Sequence, residues 1–145
     1  MKATKIRGLD IRIVPMERVT LKDGTRVTTI GTWWEEGTKL VVVLAQLSDW
    51  RFMLAVLFHE LSEYFWCESH GVKTKECDAF DAWYEEQYRL GNIPKSKEAG
   101  DDKRAPYYEG HQIGVKYERF TIRILGASWK KYVDETDKLM GVYEN

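Results

Sequence analysis

Residues 49–71 read DWRFMLAVLFHELSEYFWCESHG, and this stretch decides the fold class. Ser48 or Asp49 offers a side-chain oxygen to the free amides at a helix start, and Gly71 can take the left-handed conformation that ends a helix. Between them lie about six helical turns. Leu54, Ala55, Val56, Leu57 and Phe58 make the helix apolar nearly all round, which marks it as long and buried. His59, Glu60 and Glu63 interrupt it where it is most apolar. Carboxylates on a core helix are costly unless they are paired or coordinate something, so these three positions demand a reason.

Upstream, residues 1–47 read as sheet. Leu9, Ile11 and Ile13 alternate with Asp10 and Arg12 as in a half-buried strand that stops near Pro15. Asp23-Gly24, between Val19-x-Leu21 and Val27, is a tight-hairpin signal. Glu36-Gly37 separates a strand through Thr32–Trp34 from the apolar run Leu40–Leu44. The expectation is an antiparallel β-meander.

Downstream, residues 48–145 read as helical, in about four helices. Phe80, Trp83, Tyr84 and Gln87 fall at helical spacing over residues 74–90, and Gly91 stops them. Residues 92–104 are polar and aperiodic and read as a mobile loop with the makings of a lid. Pro106 opens a third helix with the spacing Ile113, Tyr117, Phe120, Ile124, and Ser128 caps a fourth through about Met140. Trp50, Trp66, Trp83 and Trp129 are expected in the core. Sheet first and helices after make an α+β fold, expected as a single domain over 1–145.

The composition narrows the function classes. With 145 residues and 43% hydrophobic content the chain can fold without a staple, so a metal would serve function first. A net charge of -1, with both signs dispersed, gives no indication of nucleic-acid binding. The basic N-terminus lacks the apolar run of a secretory signal, and Leu40–Ala45 is too short to span a bilayer. The expected setting is cytoplasmic, with Cys67 and Cys77 as reduced thiols and no membrane association.

His59 and Glu63 are one turn apart on one helix face, so an imidazole nitrogen and a carboxylate oxygen can grip one cation. Glu60, about 100° round the helix, can reach a water held by that cation. A zinc site needs a third ligand and an open position. His70 lies about 16 Å along the axis from His59 and suits the helix C-terminus instead. His111, in the first turns of the third helix, completes a set of two imidazoles and a carboxylate. Asp78, Asp81 and Glu118 are candidates to hold a ligand imidazole from behind, and Tyr107 and Tyr108 to hydrogen-bond a polarised carbonyl.

The segment His59-Glu60-Leu61-Ser62-Glu63 resembles the HExxH helix of zincin-like metallohydrolases, with Glu in place of the second His. Together with Cys77-Asp78-Ala79-Phe80-Asp81, Ala105-Pro106-Tyr107, His111 and Tyr117-Glu118-Arg119, it is also similar to small uncharacterised proteins often encoded by bacteriophages. The resemblance implies a zinc hydrolase, with a peptide or protein as substrate, in which Glu60 is general base to a metal-bound water. Mg2+ or Mn2+ stand as alternatives to Zn2+. Glu60, Glu63, Asp78 and Asp81 also loosely resemble the carboxylate pairs of magnesium-dependent nucleotide pyrophosphohydrolases. A third reading is a non-catalytic binding or assembly protein on a metallohydrolase-like core. The sequence leaves the oligomeric state open.

Overall fold

A run of apolar residues without alternation belongs where both faces of a sheet are covered. A computed structural model of the chain describes residues 5–94 and 98–141 and places Leu40–Ala45 in that position. Strands β1 (Gly8–Val14), β2 (Gly31–Glu36) and β3 (Lys39–Ala45) form one sheet in the order β1-β3-β2. Leu40, Val42 and Leu44 pack into the main core, while Val41 and Val43 meet Trp34 on the opposite face. Helices α1 (Trp50–Ser69), α2 (Thr74–Arg89), α3 (Tyr108–Ile124) and α4 (Trp129–Met140) follow, so the fold is α+β.

The sheet is mixed, which corrects the expected antiparallel meander. β2 and β3 pair antiparallel, but β1 pairs parallel with β3, Gly8 opposite Lys39 and Val14 opposite Ala45. The Asp23-Gly24 turn forms a short hairpin, with Gly24 at φ 88°, the Thr20–Arg26 bridge and the Leu21 amide donating to the Thr25 carbonyl at 2.8 Å. The segment that holds it carries the chain across, and β2 is laid down beyond the place that β3 fills.

α1 packs on β2 and β3 with one face and on α3 with another. Its start is capped by the Asp49 side chain, which accepts from the Arg51 amide at 2.9 Å, and Gly71 at φ 70° lies just past its end. The close approach of α3 follows from two glycines one turn apart. A Cβ on Gly114 would fall 2.7 Å from the His59 ring, and one on Gly110 would fall 2.9 Å from the Trp66 ring. α3 therefore turns its glycine, histidine and carboxylate face inward, and Tyr117, Phe120 and Ile124 point to solvent. Trp50 and Trp83 are likewise exposed, against the expectation that they are core; Trp66 and Trp129 are half-buried.

Part of the expected 92–104 loop has fixed structure. Residues 95–97 lie outside the described residues, but Ala99–Asp101 forms a 3-10 turn seated on α3. Gly100 is buried with its Cα against the His111 ring, where a side chain would collide. No helix among the described residues is long and apolar enough to cross a membrane.

Candidate metal centre

Helix periodicity puts His59, Glu60 and Glu63 on the buried side of α1, and the glycine contact brings His111 of α3 to them. His59 Nε2 lies 3.1 Å from Glu63 Oε2 and 3.2 Å from His111 Nδ1, and His111 Nδ1 lies 3.3 Å from the same carboxylate oxygen. Four ligands about 2.0–2.1 Å from a zinc ion stand about 3.3 Å from one another in a tetrahedron, so three of its corners fit these atoms. All three residues are buried.

Carboxylates face the other nitrogen of each imidazole. Glu118 Oε1 touches His59 Nδ1, and Asp101 Oδ1 is 3.3 Å from His111 Nε2. A proton on each outer nitrogen would face its carboxylate, an ion-pair contact without hydrogen-bond geometry in either case. The inner nitrogens then aim lone pairs at each other and at the Glu63 oxygen. Three lone pairs at one point repel unless positive charge sits among them.

Without a cation, protons meet that need. Burial disfavours a charged His59, but Glu118 and Glu63 outweigh it and hold the imidazole well above its ordinary value. Burial likewise opposes charge on His111, and Asp101 with Glu63 raises it to about 10. Glu63 is held low despite burial because both imidazoles stabilise its charge, whereas burial and the Glu63 carboxylate push the neighbouring Glu60 up. The donor set suits a divalent cation able to take nitrogen ligands, as zinc does.

Further contacts fix these groups in place. Trp33 of β2 donates its indole N–H to Glu63 Oε1 at 3.0 Å, leaving Oε2 for the centre. Tyr132 of α4 donates to Glu118 Oε2 at 2.8 Å, so a chain of contacts runs from α4 to His59. Glu60 is pressed against β2, where a Cβ on Gly31 would fall 2.7 Å from its Oε1. The centre opens into a cavity of about 300 Å³ between β2 and the segment before it, the four helices and the 3-10 turn at Ala99–Asp101.

Comparison with protein-family models, curated proteins and solved structures finds no match for this chain.

The remaining residues singled out in the sequence fall around this centre in different roles. Asp81 accepts from the Tyr107 hydroxyl and not from an imidazole, and burial raises it to about 7. Asp78 lines the cavity from α2, half-buried. Asp78, Asp81, Glu60 and Glu63 do not converge on one point; among the described residues the groups of ligand atoms that do are His59, Glu63 and His111, and, sharing the imidazole, Glu98, Asp101 and His111. Tyr107 lines the cavity, while Tyr108 packs on the core. His70 is exposed at the end of α1, its ring stacked on Trp66 and its Nδ1 2.8 Å from the Trp66 carbonyl oxygen. Cys67 and Cys77 are buried free thiols.

Sequence reasoning missed Trp33, Glu98 and Asp101. The acids sit in a stretch without periodicity, which carries no signal of where they point. The spacing Gly110-x-x-x-Gly114 was a usable signal, because two small residues one turn apart let a second helix come close.

Proposed function

We propose that this protein is a metal-dependent hydrolase, with zinc held by His59, Glu63 and His111 and with Glu60 as general base. The observation that carries the reading is the convergence of three donor atoms within 3.3 Å of one another, each imidazole backed by a carboxylate, at the wall of a cavity. Carboxylate-backed imidazoles are the usual dress of a metal site.

Bound zinc supplies Lewis acidity toward a carbonyl oxygen and acidifies water at an open coordination position toward neutrality. The protein's own groups divide the other tasks. Glu118 and Asp101 stand behind the outer nitrogens of His59 and His111, and their charge favours the inward orientation of both rings. Trp33 keeps one Glu63 oxygen occupied so that the other faces the centre. In this reading Glu60, which follows His59 on the helix and lines the same cavity, takes a proton from water and returns it to a leaving amine, the charge of a bound cation offsetting the burial that favours its neutral form. Tyr107, also on the cavity wall, gives its hydroxyl proton to Asp81 and so leaves the substrate carbonyl to other groups.

An amide or peptide bond is the substrate class that the cavity favours. Among the described residues lining it there is no Lys or Arg, while Asp78, Glu85, Glu98 and Asp101 add to the acids of the centre. A phosphate ester or nucleotide would meet that acidic wall without a basic clamp. A reducing, cytoplasmic setting accords with the two buried free thiols.

The test is metal content by inductively coupled plasma mass spectrometry on the untagged protein and on the His111→Ala variant. Near-stoichiometric zinc that the variant loses is the expected result, followed by cleavage of peptide or amide substrates. No transition metal in either sample after zinc is offered would overturn the reading.

A further inference from the structure

β1 ends the sheet, and it is an unusual edge. Leu9, Ile11 and Ile13 project on the face that α1 covers elsewhere, since they pair with Leu40, Val42 and Leu44. α1 lies over β2 and β3, so these three side chains remain 49%, 44% and 50% exposed. A hydrophobic edge strand of seven residues with no strand beside it among the described residues is a template for another strand.

The backbone shows which residues are free to pair. Gly8 donates to the Thr38 carbonyl, and Gln46 donates to the Val14 carbonyl. In a parallel ladder, alternate residues bond to one neighbour, so residues 8, 10, 12 and 14 serve β3. Leu9, Ile11 and Ile13 thus turn their N–H and C=O groups to the outer edge, and among the described residues no strand pairs there.

The charges then select one partner and one register. Between them on the opposite face stand Asp10 and Arg12, an ion pair at 2.9 Å within the strand. If a second β1 pairs antiparallel about a two-fold axis, three registers let the free backbone groups meet. An axis at residue 10 sets Asp10 against Asp10, and one at residue 12 sets Arg12 against Arg12. An axis at Ile11 instead sets Asp10 opposite Arg12 twice, in the non-hydrogen-bonded positions where side chains come closest. It also sets Leu9 opposite Ile13 and Ile11 opposite itself, all in hydrogen-bonded pairs.

We propose that this chain forms a homodimer in which two β1 strands pair antiparallel about a two-fold axis at Ile11, making one six-stranded sheet. The pairing sets the three exposed side chains of each copy against those of the other across the seam and satisfies the free edge. The occupant is a second copy because the strand is its own charge complement.

The test combines mass and register on the full chain. Sedimentation equilibrium should give a dimer, and Ile11→Lys, at a position already exposed in one copy, should give a folded monomer by circular dichroism. Asp10→Arg or Arg12→Asp alone should weaken the dimer about tenfold or more, and the two together should restore it. Oxidised Ile11→Cys should cross-link to itself, because hydrogen-bonded partners lie about 5.5 Å apart at Cα, within disulfide reach. Leu9→Cys should not cross-link alone but should do so when mixed with Ile13→Cys. A monomer at all concentrations overturns the proposal, as does a dimer that Ile11→Lys leaves intact or a cross-link at Leu9→Cys with none at Ile11→Cys.

Discussion

His59 Nε2 and His111 Nδ1 stand 3.2 Å apart although 52 residues separate them in the chain. The rings meet edge to face with centroids 4.7 Å apart, an arrangement that two imidazoles adopt when both point a nitrogen at a shared neighbour, here Glu63. Gly114 makes the approach feasible, because the His59 ring occupies the space of the side chain that it lacks.

Glu118 sets the orientation of His59 from behind. Replacing Glu118 by Gln keeps its size and removes the charge that holds a proton on Nδ1. Zinc affinity should fall about 10–100-fold, the usual effect of losing such a partner, with the far-UV spectrum unchanged. Competition against a chromophoric chelator reads the change, and equal affinity would remove Glu118 from the support of the centre.

Glu60→Gln separates binding from chemistry. The amide keeps the shape but cannot take a proton from water, so zinc content should stay near stoichiometric. Hydrolysis of a cleaved peptide should drop by about 10²–10⁴-fold. A variant as active as the parent would mean that another group is the base.

Gly114→Ala tests the contact between α1 and α3. In an ordinary helix the change stabilises by about 1 kcal/mol. Here the new methyl would sit 2.7 Å from His59 Cγ, and overpacking of that kind costs about 1–3 kcal/mol. The expected outcome is a net loss of stability in urea together with weaker zinc binding. A gain in stability would show that the helices can separate without consequence.

Asp81 gives the zinc-free protein a pH dependence of known sign. Burial raises this carboxyl to about 7 in the folded state from an ordinary value of 3.8. The folded state therefore binds its proton more tightly than the unfolded chain, and stability falls as pH rises between those values, by on the order of a few kcal/mol. Asp81→Asn keeps an oxygen for Tyr107 to donate to and removes the titration. Its melting temperature relative to the parent should rise between about pH 4 and pH 7 and show no such gain below pH 4. A difference independent of pH would mean that Asp81 titrates alike in the folded and unfolded chain.

Several elements are legible in the residues alone. α1 announces itself through Asp49, Gly71 and an unbroken apolar stretch, and the pairing of His59 with Glu63 follows from one turn of helix. The spacing of Ile113, Tyr117, Phe120 and Ile124 locates α3, yet the last three of these face solvent. The period of a pattern locates a helix, but which side is covered depends on what packs there. Here Gly110 and Gly114 take that contact, because a Cβ at either would collide with Trp66 or His59 of α1, and His111, Thr121 and Ile122 are buried along with them.

The chain by itself determined the order of its elements, the caps of α1 and α4, the glycine stops of α1, α2 and α3, and the local grouping of His59, Glu60 and Glu63. Caps, turns and helical periodicity act over about four residues, so they are written in short stretches. Only the tertiary structure decided that β1 lies parallel to β3, that Asp101 and Glu118 stand behind the imidazoles, and that Trp33 holds Glu63. Those relations join residues far apart in the chain, and they are set by which side chains fill the same space once the sheet and helices pack, a condition that no local preference encodes.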